Sequence, residues 1–359
     1  MRKFLNSMRL LILIPIVIFV VVFFAANVGV RWLPCYMDGD EEQRVQAACD
    51  YLESGHSVVA MGLNNQNDVD WIMNKIHNDP NLFWLGINYK VAFVGNTGII
   101  TVNKKYTDID ALRAQIECVA DSIIGDIIAS DMSEYDKVLA IHDWICENVE
   151  YGYDSNHSDQ DIYGALVLRG AVCAGYAKSF TYLLDKVGIE SHVISGHAVE
   201  SGKIGEAHAW NLVYIDDKPY YFDITWDDEG DYASYDWFGV TDDEFATRHK
   251  PSRGYEWVDA NSTKANYYIR NGVYLESYSA EAIAELIVNQ GDNVIIKCAN
   301  SQVFEDTLAA FKIASERDEI EKMAGLESQI SVTYSDNPQT NCIYMQIEAN
   351  GQISSRFGL

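Results

Sequence analysis

The sequence predicts an α+β fold preceded by one transmembrane helix. Three observations carry this: apolar stripes at helical spacing, alternating runs paired across short turns, and an unbroken apolar segment near the N-terminus. The 359 residues are 48% hydrophobic and 12% aromatic, with 22 Tyr and only 6 Pro, which suits a packed core and excludes a disordered or fibrous chain.

From Leu10 to Ala26 the chain is wholly apolar (LLILIPIVIFVVVFFAA), long enough to cross a bilayer core of about 30 Å. Arg2, Lys3 and Arg9 precede it without an acidic residue, so that end is expected to stay cytoplasmic and the remainder to face outward. The favoured reading is an uncleaved signal-anchor at the cell membrane. Cleavage near Ala25 and Ala26, giving a secreted protein, is the alternative. The formal charge is −27, and every acidic residue lies at Asp38 or beyond. Such a surface repels phosphate backbones, which excludes nucleic acid as a partner.

Glu41–Glu53 reads as a helix with Val45, Ala48, Cys49 and Leu52 on one face. A strand at 57–61 and a helix near 68–77 follow. Strands at 86–94 and 99–103 flank a Gly95-Asn96-Thr97-Gly98 turn. A long helix starting at Thr107 carries Ile109, Leu112, Ile116, Val119, Ile123 and Ile127. Ser133 caps the next, with Val138, Ile141, Ile145 and Val149 on its stripe. The central block spans residues 133–250. From Tyr267 the pattern becomes strand, helix (280–289), strand (293–298), helix (302–315) and two final strands; Ile343, Met345 and Ile347 alternate with polar neighbours. Domains are therefore expected at 1–35 (tip and anchor), 36–130, 131–262 and 263–359.

The 7 cysteines form no CxxC pair and no zinc-like spacing. Cys49, Cys118 and Cys146 fall on helical stripes, where cysteine acts as a small hydrophobe. Cys173 differs. In Val172-Cys173-Ala174-Gly175-Tyr176-Ala177 it follows Gly170 and opens a helix with Ala177, Phe180, Leu183, Leu184 and Val187 inward, stopped by Gly188. Unpaired N–H groups at a helix start stabilise an anion, so a thiolate is favoured there, although a lone helical cysteine is equally often a buried structural one.

A second segment, Glu206 to Ile215, leads through Asp216-Asp217 into Lys218 to Trp226 in a hairpin pattern. With a two-residue turn, His208 and Asp223 share a face as diagonal neighbours, roughly 5.5–8 Å apart. A one-residue slip would separate them. A thiolate attacks a carbonyl carbon, an imidazole moves the proton, and a carboxylate fixes the ring's tautomer.

The motifs Val172-Cys173-Ala174-Gly175-Tyr176-Ala177, His208-Ala209-Trp210-Asn211 and Asp223-Ile224-Thr225-Trp226 resemble those of the transglutaminase-like superfamily, especially its secreted or membrane-anchored bacterial branch. The resemblance covers roughly Tyr135 to Asp228. It implies a papain-like transglutaminase core at 131–262, a Cys-bearing helix packed on an antiparallel sheet and flanked by smaller α+β segments. It implies Cys173 as nucleophile, His208 as general base and acid, and Asp223 as orienting carboxylate. The expected activity is amide cleavage or transfer, on peptide bonds or glutamine side chains, through a thioester on Cys173 with hydrolysis favoured. No cofactor and no metal is implied. The expected substrate is a protein or peptide, with cell-wall peptide one option. A non-catalytic anchored ectodomain that binds or scaffolds is the alternative. In papain-type enzymes an oxyanion Gln precedes the nucleophile, but position 167 is Val; Gln160 and Tyr163 are the remaining candidates.

His142, His157, His192 and His197 match no ligand spacing and read as packing or surface residues. His197 is expected in a Gly-rich loop from Gly196 to Gly205. Trp210 and Trp226 either wall the site or simply fill a core. Asp227, Asp228, Glu229 and Asp231 read as a solvated acidic loop.

Overall fold

The computed structural model describes residues 34–152, 158–230, 233–326, 330–338 and 340–349. The expected anchor over 10–26, with His157 and Asp231, lies outside the described residues. Among those described, no helix is long and apolar enough to cross a membrane. The fold is a mixture of helices and sheets in two compact units. One takes in the chain up to Ala233 together with Asp242–Ala260; the other holds Ser234–Thr241 and the chain from Asn261 onward.

The first unit begins with a sheet of β1 (Tyr36–Met37), β2 (Val58–Gly62), β3 (Leu85–Val94) and β4 (Thr97–Lys104), in the order β1-β2-β4-β3. Helix α1 (Glu41–Glu53) starts in a capping box between Asp40 and Gln43 and buries Ala48, Cys49 and Leu52. Helix α2 (Gln66–Asn78) starts at the Asn65 side chain and buries Val69, Ile72, Met73 and Ile76. Val94 faces Thr97 across Gly95-Asn96, so the turn is two residues long, with Gly95 at φ 61°.

Helix α3 (Ile109–Ile127) buries Ile116, Ala120 and Ile123. Cys118 lies off that stripe and is exposed, contrary to the sequence expectation. Ser133 caps α4 (Glu134–Asn148) in a box with Asp136, as the sequence predicts for the serine.

Helix α5 (Cys173–Lys186) packs on an antiparallel sheet that holds β5 (Ser191–Glu200), β6 (Lys203–Ile215), β7 (Lys218–Phe222) and β8 (His249–Pro251). These follow one another as β7-β6-β5-β8. The expected Gly-rich loop is instead a tight turn between β5 and β6. Ser201 and Gly202 both adopt left-handed backbone (φ 50° and 74°), and Glu200 pairs directly with Lys203. His197 is therefore a strand residue. Two short helices complete this part, α6 (Ile224–Asp227) and α7 (Asp242–Phe245).

The second unit contains α8 (Tyr267–Arg270), β9 (Tyr274–Leu275), α9 (Ala280–Gln290), β10 (Asn293–Cys298), α10 (Ser301–Lys312), α11 (Ala314–Met323), β11 (Ile330–Asn337) and β12 (Cys342–Ala349). Its sheet runs β9-β10-β12-β11 over a core that includes Ile296, Phe304 and Ile343. Two sequence expectations change here. Tyr267 opens a helical turn because Asn266 caps the N–H groups of Tyr268 and Ile269. The helix expected to reach Ser315 stops at Lys312, where Ile313 turns extended (ψ 112°) before α11 begins.

Candidate active site

The Asp216-Asp217 turn sets the geometry. Both residues are left-handed (φ 50° and 60°), and Ile215 pairs with Lys218 and Asn211 with Phe222. This is the register that puts His208 and Asp223 on one face. Pairing ends at Phe222, four residues short of the strand end at Trp226 that the sequence predicts. The Oδ1 atom of Asp223 accepts the Trp226 N–H at 3.2 Å, so the side chain ends the strand by capping α6. The expected strand through Trp226 is thus a helical turn. His208 still reaches Asp223: its Nε2 lies 2.6 Å from Oδ2.

Cys173 is the first residue of α5, with Val172 at the cap position, and is half-buried. Cys173 and Ala174 pack against Ala177, Val193 and Ala209. Two neighbours in the motifs explain how the helix is held. A side chain at Gly175 would meet the Asp159 carbonyl at 2.6 Å and the Ala171 Cβ at 2.7 Å. Asn211, fully buried in β6, donates to the Ala177 carbonyl (2.8 Å) and to Thr181 Oγ1 (3.0 Å). The Asn211 amide therefore ties the histidine strand to the cysteine helix.

Charge is tightly managed around His208. Burial opposes a charged ring, but the charge and hydrogen bond of Asp223, reinforced by Cys173 beside the ring, outweigh it and raise its pKa to about 10. Burial would likewise raise Asp223, yet His208 and a second imidazole hold its carboxyl well below the usual range. Trp226 stacks on His208 (centroids 4.8 Å apart, 20° between planes), while Trp210 is fully buried 6.2 Å from it. Trp226 therefore walls the site and Trp210 belongs to the core.

Residues 121–226 match the model of the Transglutaminase-like superfamily. The central segment is transglutaminase-like. The kyphoscoliosis peptidases of Mus musculus and Homo sapiens are each 25% identical over 130 residues, covering 33% of this chain and 20% of theirs. The chain thus matches about a fifth of the length of those relatives. Among solved structures, the crystal structure of a TGase aligns with a TM-score of 0.28 and 16% identity, over 53% of this chain and 58% of its own.

The transglutaminase-like segment ends before a residue that sequence reading missed. His249, on β8, puts its Nε2 2.8 Å from the same Asp223 Oδ2 and is 1% exposed. A three-residue strand carries no readable periodicity, and β8 begins with His249. Gly196 is an indirect signal. It faces both His208 and Pro251, and a side chain there would collide with Trp210 and the Lys250 carbonyl.

Other candidates resolve differently. The Gln160 carbonyl accepts from Lys178 Nζ at 3.0 Å, and Gln160 lines a cavity of about 420 Å³ with Ala174, Lys178, His77, Phe83 and Ser195. This cavity adjoins Cys173 through Ala174. A larger one of about 610 Å³, lined by Cys49, Asp79 and Tyr182, contains none of Cys173, His208 and Asp223. Tyr163 packs edge-on against Tyr106 at 5.7 Å and does not line the cavity beside Ala174. His192 is exposed, 3.1 Å from Glu190 and edge-on to Tyr214 at 6.1 Å.

The acidic run is not uniformly solvated. Asp227 is fully buried, its Oδ2 3.1 Å from Nε2 of the equally buried His142. Asp228 Oδ2 lies 2.5 Å from the Tyr176 hydroxyl. Burial disfavours a charged His142, but nearby Cys146, Asp143 and Asp227 carry its pKa well above the ordinary value.

Proposed function

We propose that the chain is a cysteine acyl-transfer enzyme that cleaves or transfers amide bonds in proteins or peptides, with Cys173 as nucleophile. The observation that carries the reading is the 2.6 Å contact of His208 with Asp223, on a strand fastened to the helix that Cys173 opens. Asp223 accepts the Nε2–H, which leaves Nδ1 as the ring nitrogen that exchanges a proton with the thiol. With its pKa raised to about 10, His208 already holds that proton at neutral pH when the sulfur attacks the carbonyl carbon. It then delivers it to the departing amine, leaving a thioester on Cys173. Water or a second amine then resolves the thioester, and His208 removes the proton of whichever attacks. The Cys173 N–H at the helix start supplies one donor for the oxyanion. Trp226 covers one face of the imidazole and limits water there.

Hydrolysis is the favoured outcome. The apolar segment 10–26 would hold the enzyme at the membrane, with the catalytic unit outside the cytoplasm. Surface proteins or cell-wall peptides would then be within reach. The test compares wild type with Cys173→Ala on a panel of peptide and glutamine-amide substrates, with and without a primary amine. Turnover lost in Cys173→Ala is expected, with product mass showing addition of water. Equal turnover in both proteins would overturn the reading, and an amine-adduct product would reassign it to transamidation.

A further inference from the structure

We propose that His249 is a positioning residue of this centre, holding Asp223 in place for His208 by donating a second hydrogen bond to the same carboxylate oxygen. The inference rests on the acyl-transfer reading and extends it beyond the transglutaminase-like segment, which stops at residue 226.

An ionised carboxylate only accepts hydrogen bonds. Asp223 Oδ1 already receives the Trp226 N–H, and Oδ2 receives His208 at 2.6 Å and His249 at 2.8 Å. Both rings must therefore present Nε2–H to it. The His249 ring is fixed on several sides. It stacks on Phe245 (3.7 Å, 18°), packs on Trp226 at 4.5 Å and meets Trp210 edge-on at 5.0 Å. Three aromatic neighbours and 1% exposure leave the ring little room to rotate away.

The other nitrogen, Nδ1, lies 3.1 Å from the Phe245 carbonyl. That oxygen is also an acceptor, so the Nδ1 contact is a hydrogen bond only when the ring carries both protons. Burial works against this and lowers the His249 pKa, although Asp223 pulls it upward. At neutral pH the ring is thus a neutral Nε2–H donor, and on acidification it becomes a cation with both nitrogens donating.

Several charged groups surround it. Asp223 faces it from the start of α6 and His208 from β6, with Cys173 beyond His208. Arg248, the preceding residue, lies over Trp226 at 5.4 Å and donates to the Val199 carbonyl. Strand β5 presents Ala198 opposite it, and α7 presents the Phe245 carbonyl.

Donation to the charged form favours that form, so His249 keeps Asp223 ionised further into acid. Without it Asp223 and the His208 ring it anchors are held less firmly beside Cys173, and the acid limb of Cys173 alkylation moves up. A packing histidine would change stability without moving this limb.

The experiment follows iodoacetamide alkylation of Cys173 in the full chain from pH 3 to 8, read on its own peptide by mass spectrometry because six other cysteines are present. Wild type is compared with His249→Phe, which fills the aromatic cage without a donor, and His249→Gln, which keeps an N–H donor. The acid limb of His249→Phe is expected to move up by about one pH unit, with the neutral-pH rate falling about tenfold. His249→Gln is expected within about threefold of wild type. An unmoved limb in folded His249→Phe, or equal shifts in both variants, would overturn the inference. Nitrogen-15 histidine spectra of wild type give a check that needs no variant. A protonated His249 Nε2 at neutral pH is expected, and a bare Nε2 would overturn the hydrogen bond. If wild-type Cys173 reacts no faster than free cysteine, the acyl-transfer reading falls and takes this inference with it. A reactive wild type whose limb ignores His249 sinks this inference alone.

Discussion

Among the described residues of the first unit, thiol, imidazole and carboxylate meet at two places, and the two meetings differ in almost everything except composition. At Cys173, His208 and Asp223, the sulfur opens a helix and is half-buried. At Cys146, His142 and Asp227, the sulfur lies inside α4, 6% exposed and 3.9 Å from His142 Nε2. Burial there raises the Cys146 pKa, against the pull of His142. A mid-helix cysteine has no free N–H groups around it, and a sealed one meets no substrate. The second set reads as a structural ion cluster that fastens α6 to α4. On the acyl-transfer reading, helix position and access, more than residue type, separate the proposed nucleophile Cys173 from Cys146.

Substitution at the two sulfurs is expected to separate them most widely. Cys173→Ala is expected to lower amide turnover about 10⁴-fold or more, because the triad acts as a unit. Cys146→Ala is expected to leave turnover within about threefold and to cost about 1 kcal/mol of packing. Turnover assays with denaturant unfolding check both, and a similar loss of activity in each would erase the distinction.

The histidines provide the next contrast. His142→Ala removes the imidazolium facing buried Asp227 and is expected to destabilise the unit by about 3–5 kcal/mol. The effect carries a pH signature. The His142 pKa is raised on folding, so its contribution is full below about 6.5 and is lost as pH rises through the folded-state value. Unfolding free energies from pH 6 to 10 should therefore fall more steeply in wild type than in His142→Ala. Parallel curves would deny the ion cluster its role.

The smallest effect sharpens how the active set is assembled. Asn211→Ala is expected to cost about 1–3 kcal/mol by opening the clamp between β6 and α5. Because it also loosens His208 relative to Cys173, turnover should fall further than stability alone explains. Melting curves alongside single-turnover rates check this, and unchanged rates in the folded variant would limit Asn211 to packing.

Most of the positioning was legible where the chain uses short-range rules. The Asp216-Asp217 pair predicts the hairpin register, and the Cys173 helix follows from its apolar spacing and Gly188 stop. What escaped depends on long-range burial. Asp227 sits among charged neighbours in sequence, and only folding reveals that α4 covers it. His249 arrives on a three-residue edge strand, too short for any period to show. Helix α11 is so rich in charge that only Ile320 is buried in it, which leaves no stripe to read.

Asp223 caps a helix with one oxygen and serves two imidazoles with the other. Its loss would unmake a chain reversal along with the chemistry, whereas the sulfur of Cys173 can be shed with little damage to the scaffold. Descendants that abandon catalysis thus have an asymmetric route. If the acyl-transfer reading holds, they should discard Cys173 first and keep the aspartate for its capping bond.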